Sequence, residues 1–115
     1  MDSKELTKII YNALDDKQGE NIKILDISKV SVIADYFVIV SGSNINQVQA
    51  LADNVKEELY KLGLEPRNVE GYHAASWILL DYTDVIVHIF SKDDRLFYDL
   101  ERIWRDGREI EVSQL

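Results

Sequence analysis

The chain has no cysteine, so it can form no disulfide framework, thiolate nucleophile or cysteine-ligated zinc. Histidine is almost as scarce. His73 and His88 are the only two, and no closely spaced carboxylate pair joins them at a metal-ligand spacing, so no metal or cofactor is expected. No apolar run reaches the length of about eighteen residues that a membrane span needs, and the N-terminus opens on a charged amphipathic pattern where a secretory signal needs an apolar core. A cytoplasmic protein without membrane contact is the expectation. Clustered positive charge is missing too. Thirteen Lys and Arg are scattered among twenty-one Asp and Glu, for a formal charge of −8. Such a chain repels phosphate backbones, so little direct nucleic-acid contact is expected and a basic protein is the more natural partner. The same acidity would also serve solubility alone.

What is present fits one domain. At 115 residues the chain is too short for two good cores, and its 46% hydrophobic content is spread along its length. Leu6, Ile9, Ile10, Ala13 and Leu14 recur at helical spacing, with Asp2 placed to cap and Glu5 three residues on, which predicts a first helix ending near Gly19. Ile22 to Ile27 reads as a short strand. Asp35 to Ser41, nearly all β-branched, aromatic or apolar, reads as a strand buried on both faces. A polar turn, Ser41 to Asn44, leads into a long helix whose stripe is Val48, Leu51, Ala52, Val55, Leu59 and Leu62, with Gly63 as its stop. A weaker strand follows at Arg67 to Glu70, and Pro66 suits the start of an edge strand.

Trp77 to Tyr82 and Val85 to Phe90 form two β-prone runs separated by a short polar turn, the pattern of an antiparallel hairpin. Ser91 with Asp94 resembles an N-cap, and Leu96, Phe97, Leu100, Ile103 and Trp104 predict a last helix. Beyond Arg105 the polar residues Asp106, Gly107, Arg108 and Glu109 predict fraying. The expected fold is α/β: one mixed five-stranded sheet with about three helices, in which the strand, long helix, strand unit favours a parallel pairing.

With Leu80 opposite Val85, the hairpin puts Ile78, Leu80, Val85, Val87 and Ile89 on one face and Trp77, Leu79, Ile86 and His88 on the other. The first face belongs under helices. Three helices cover both faces of five strands only in part, and the second face, with Asp81 and Asp84 at its turn end, has the composition of a protein-binding hot spot. In the competing arrangement the last helix covers it and Trp77 is ordinary core.

Catalytic signatures are weak. Val40-Ser41-Gly42-Ser43-Asn44 lacks the G-x-S-x-G order of a nucleophile elbow, and its plain reading is a turn whose Ser43 or Asn44 caps the next helix. Gly42-Ser43 after a buried strand resembles the glycine-serine signature of nucleotidyltransferases, which makes a metal-dependent enzyme of that kind the alternative function. Those enzymes need carboxylates on neighbouring strands. Here the next carboxylate is Asp53, inside a helix, and Asp81 and Asp84 straddle a hairpin turn.

Glu70-Gly71-Tyr72, then Ala75-Ser76-Trp77-Ile78-Leu79-Leu80-Asp81-Tyr82, then Asp84-Val85-Ile86-Val87-His88-Ile89-Phe90 resemble the hallmark segment of the Iojap-related ribosomal silencing factors. Ala34-Asp35-Tyr36-Phe37-Val38-Ile39-Val40-Ser41-Gly42-Ser43 and Arg95-Leu96-Phe97-Tyr98-Asp99-Leu100-Glu101 match as well. The resemblance implies a fold similar to nucleotidyltransferases without their catalytic carboxylates, no enzymatic activity, and homodimers in the free state. It also implies binding to the fourteenth large-subunit ribosomal protein, with the small subunit kept from joining and translation lowered. One departure stands out: that family usually has Gly between the Tyr and Asp of the hairpin turn, where this chain has Thr83. Together these readings assign partner binding to Trp77 and Leu79 as the buried anchor, His88 as a polar contact, and Glu70, Asp81 and Asp84 as carboxylates facing Arg or Lys.

Overall fold

The computed structural model describes residues 1–93 and 107–115; the last helix expected through Leu96, Phe97, Leu100, Ile103 and Trp104 lies outside the described residues. Helix α1 (Ser3–Asp16) starts where Asp2 accepts the Glu5 N–H at 2.8 Å, meeting one of the donors a helix start leaves open. It buries Leu6, Ile10, Ala13 and Leu14. Strands β1 (Glu20–Asp26) and β2 (Tyr36–Gly42) follow, and all seven residues of β2 are buried, as its unbroken apolar run requires.

Helix α2 (Ile45–Tyr60) is capped by Asn44, whose side chain accepts the Gln47 N–H at 2.8 Å. Its buried stripe is Val48, Leu51, Ala52, Val55 and Leu59. Leu62, expected to extend that stripe, instead lies beyond the helix and is half exposed. The chain turns at Gly63, whose φ of +80° is the left-handed conformation that ends helices. Buried Asn54 interrupts the apolar face for a reason: its amide donates to the Ala13 carbonyl at 2.7 Å, tying α2 to the last turn of α1 where carbonyls lack helical partners.

Strands β3 (Asn68–Glu70), β4 (Trp77–Asp81), β5 (Val85–Ser91) and β6 (Arg108–Ile110) follow among the described residues, with a 3-10 turn at Val112–Gln114. The sheet has six strands in the order β3-β4-β5-β2-β1-β6. Five were expected. The extra strand is β6, in the segment expected to fray: Ile110 pairs with Ile24 and Glu109 with Leu25, and Ile110 joins the core. Three residues are too few for a periodic signal, and burying one Ile beside an otherwise open strand edge supplies what local sequence does not. The parallel pair also differs from the nearest strand-helix-strand unit. β2 runs parallel to β5, while β3 lies at the sheet edge, antiparallel to β4, as Pro66 suggested.

Both described helices pack on one face. There Ile24, Val38, Val40, Ile78, Leu80, Val85, Val87 and Ile89 meet Leu6, Ile10, Leu14, Val48, Leu51, Val55 and Leu59. At about 1.5–3 kcal/mol for each fully buried aliphatic side chain, this face carries most of the stability of the described fold.

Candidate functional site

Chain alternation in the hairpin fixes what the opposite face presents. The register pairs Trp77 with Phe90, Leu79 with His88, and Asp81 with Ile86. Leu80 therefore lies opposite Val87, two residues from the expected Val85, because pairing continues out to Tyr82, whose N–H donates to the Val85 carbonyl at 3.0 Å. An even shift keeps every side chain on its expected face. The second face reads, from the β3 edge inward, Asn68 and Glu70, then Trp77, Leu79 and Asp81, then Ile86, His88 and Phe90, then Phe37, Ile39 and Ser41, then Leu25 and Lys23, and last Glu109.

Exposure along this row is graded. Leu25, Phe37, Ile39, Ile86, His88 and Phe90 are buried, Trp77 and Leu79 are half-buried, and Glu70 and Asn68 are exposed. The apolar part of the opening thus lies on β4, beside β3, while the opposite edge of the face is closed over by the charged pair Lys23 and Glu109. Trp77 stacks on Phe90 with centroids 5.1 Å apart, so part of its ring is anchored while part stays exposed.

His88 does not reach the surface as a contact residue. It is 4% exposed, with Phe37 packed edge-on against its ring at 4.7 Å. The Trp77 indole N–H donates to His88 Nδ1 at 3.1 Å. A neutral imidazole that accepts on Nδ1 carries its proton on Nε2. That nitrogen is buried, with no hydrogen-bond partner among the described residues. Burial pushes the His88 pKa down to about 4, so the ring is neutral at neutral pH.

Asp81 is also turned inward. Its carboxylate takes Arg67 at 2.9 Å on one oxygen and the Thr83 N–H at 2.8 Å on the other, so it braces the turn instead of standing free at a rim. Asp84 is exposed at the tip, and its carbonyl accepts from Asp35 N at 2.8 Å and Tyr36 N at 3.2 Å, fixing the turn to the start of β2. Between them Thr83 has φ +74°, and the Asp84 N–H returns to the Tyr82 carbonyl at 2.9 Å. A two-residue hydrogen bond around a positive φ is the strained form of γ-turn, adopted here by a β-branched residue.

Gly71 makes the close approach that seats Trp77. At φ +77°, a Cβ on Gly71 would run into the Trp77 carbonyl oxygen. Arg67, Phe37 and Phe90, which the sequence reading did not assign, complete the surroundings; only the sheet register brings them beside Asp81 and His88.

Among the described residues the alternative, enzymatic arrangement is not assembled. The Ser43 hydroxyl and N–H both bond Gln47 Oε1, at 2.7 and 2.6 Å, so the turn after β2 serves the helix cap. Gly42 is required there because a Cβ would lie 2.8 Å from Val48 Cγ2. Asp53 accepts the Tyr72 hydroxyl at 3.0 Å on the outside of α2. Among the described residues no helix is long and apolar enough to cross a membrane.

Comparison with known proteins agrees along the whole chain. A family model described as ribosomal silencing factor during starvation matches residues 1–115. A ribosomal silencing factor from Halalkalibacterium halodurans is 41% identical over 113 residues, covering 98% of this chain and 97% of that protein. Another, from Bacillus subtilis, is 42% identical over 107 residues, covering 93% of this chain and 91% of that protein. A crystal structure of a protein from Chromobacterium violaceum superposes with a TM-score of 0.89 at 32% identity, over 96% of this chain and 92% of that one.

Proposed function

This chain belongs to the family of ribosomal silencing factors, and we propose that it works by docking the open β3–β4 part of its second sheet face onto a basic protein of the large ribosomal subunit. Following the family resemblance, that protein is the fourteenth large-subunit ribosomal protein, and the bound factor bars the small subunit sterically. The protein is cytoplasmic, does no chemistry, and pairs as a homodimer when free. Its frame is nucleotidyltransferase-like in topology but lacks those enzymes' catalytic carboxylates.

The observation that carries this reading is the graded exposure of one row of side chains. A half-buried Trp77 and Leu79 sit beside exposed Glu70, with Asp84 exposed at the turn end of the same hairpin. An aromatic anchor flanked by carboxylates suits a basic partner, and the charge of −8 speeds association with it while disfavouring bare ribosomal RNA. Asp81 and His88 act from behind this surface, the first by holding the turn and the second by holding the indole.

Truncating a central aromatic anchor commonly costs about 2 kcal/mol, roughly thirtyfold in affinity. Trp77→Ala is therefore expected to stay folded, to co-sediment with large subunits about thirtyfold more weakly, and to let subunits join. A Trp77→Ala protein that binds large subunits as tightly as the parent would overturn the assignment.

A further inference from the structure

We propose that His88 is a positioning residue for Trp77, retained in an apolar layer because its Nδ1 fixes the orientation in which the indole is offered to the partner. This rests on the docking role of Trp77. The geometry sets the two rings cross-strand: Trp77 pairs with Phe90 and His88 with Leu79, so the indole N–H reaches diagonally to Nδ1 at 3.1 Å. Stacking on Phe90 sets the plane of the indole. The added hydrogen bond selects one in-plane orientation, and with it the edge that faces outward.

A structural role alone does not account for this histidine. The residues around it from β5 to β1, namely Ile86, Phe90, Phe37, Ile39 and Leu25, are apolar, with Ser41 beside Phe90 and Lys23 beside Ile39 the polar positions of that face. An apolar residue would fill the same space without burying a polar group. His88 instead leaves Nε2 enclosed with no partner among the described residues, an arrangement that works against folding. Burial also opposes protonation of the ring, which keeps Nδ1 an acceptor. A group whose retention opposes stability and whose one hydrogen bond goes to the exposed aromatic fits a functional constraint on that aromatic.

The test compares His88→Leu, His88→Asn and His88→Gln with Trp77→Ala in the full chain, reading melting temperature, affinity for large subunits, and the indole N–H resonance of Trp77 assigned against Trp77→Phe. Asn places Oδ1 where Nδ1 lies; Gln does not. His88→Leu is expected to melt at or above the parent temperature, to show faster exchange of the indole proton, and to bind roughly tenfold more weakly, the scale of one net hydrogen bond. His88→Asn is expected to recover most of that binding, and His88→Gln to recover less. If His88→Leu binds like the parent while Trp77→Ala does not, positioning is wrong and the docking surface stands. If both bind like the parent, the docking surface is wrong and positioning falls with it. A His88→Leu protein that melts well below the parent, or fails to fold, marks His88 as a structural residue, as does equal binding by the Asn and Gln variants.

Discussion

The two faces of the sheet are built on opposite rules. On the helix-covered face the strands contribute Val, Ile and Leu almost without exception, sealed by α1 and α2. On the other face the same strands place Phe37, Trp77, His88 and Phe90, with a polar atom enclosed at the centre and an indole half open at the edge. The first composition is close to what stability alone selects, its exception being the Tyr82 hydroxyl, which is buried with no hydrogen-bond partner among the described residues. The second contains features that cost stability: the enclosed Nε2 of His88 and the left-handed Gly71 lie against Trp77, and the Thr83 turn closes the far end of the same hairpin. Left-handed residues occur elsewhere too, at Gln18 and Asn21, but the two departures that touch the half-exposed aromatic point to its side as the working one.

The largest expected effect lies at Gly71, whose backbone packs directly against the strand that carries Trp77. A Cβ there meets the Trp77 carbonyl and must also adopt φ +77°, so neither a rotamer change nor a small shift of a flexible side chain relieves it. Gly71→Ala is expected to destabilise by about 3–4 kcal/mol, combining left-handed strain with overpacking against backbone. Chemical denaturation measures this. Its effect on binding should exceed that of an equally destabilising change under α2, because only Gly71 also displaces the strand that carries Trp77. Equal losses of binding from the two would erase the distinction between the faces.

Titration separates the faces next. His88 on the second face has its pKa pushed from 6.5 to about 4 by burial. A depressed histidine leaves the unfolded chain the better proton acceptor, so its titration carries no penalty above pH 6.5 and stability is lost as pH falls from there toward 4. The loss is roughly 3 kcal/mol. Tyr82 belongs to the first face, and burial pushes its pKa from 10 up to about 12. Its contribution is intact below pH 10 and falls away toward pH 12, by roughly 2–3 kcal/mol. In a pH series of unfolding free energies, His88→Leu should flatten the acid limb alone and Tyr82→Phe the alkaline limb alone. An acid limb unchanged in His88→Leu would mean that the ring is not held neutral by its surroundings.

Much of this contrast was legible in the residues. Period-two alternation put Trp77, Leu79, Ile86 and His88 on one face even though the assumed register was wrong, since an error of two residues preserves side-chain direction. The caps at Asp2 and Asn44 were readable because capping is local. What escaped was non-local. Arg67 meets Asp81 only once β3 is paired with β4, and Arg108–Ile110 becomes a strand only because β1 has an edge to offer. The assumed register already set Trp77 across from His88, and the observed one makes them a diagonal pair; alternation shows that the two share a face but not that the indole N–H bonds Nδ1, which is a matter of side-chain conformation.

The smallest expected effect tests whether the strained turn belongs to the working face or is a local feature of the hairpin. Thr83 sits at φ +74° in a turn closed from Tyr82 to Asp84, and its N–H is held by the Asp81 carboxylate, itself braced by Arg67. Left-handed strain for a non-glycine residue is of order 1–3 kcal/mol. Glycine relieves it but loses roughly 0.5–1 kcal/mol through its more flexible unfolded chain. Thr83→Gly should therefore stabilise by about 1 kcal/mol, raising the melting temperature by roughly 4 °C. The bonds that fix Asp84 to β2 are made by its backbone carbonyl and do not involve the Thr83 side chain, so the tip should keep its position and large-subunit affinity should stay at the parent value. A stabilised Thr83→Gly protein that binds more weakly would place the Thr83 methyl or hydroxyl in the partner contact and extend the working face around the turn. A lowered melting temperature would show that the turn carries no strain to relieve.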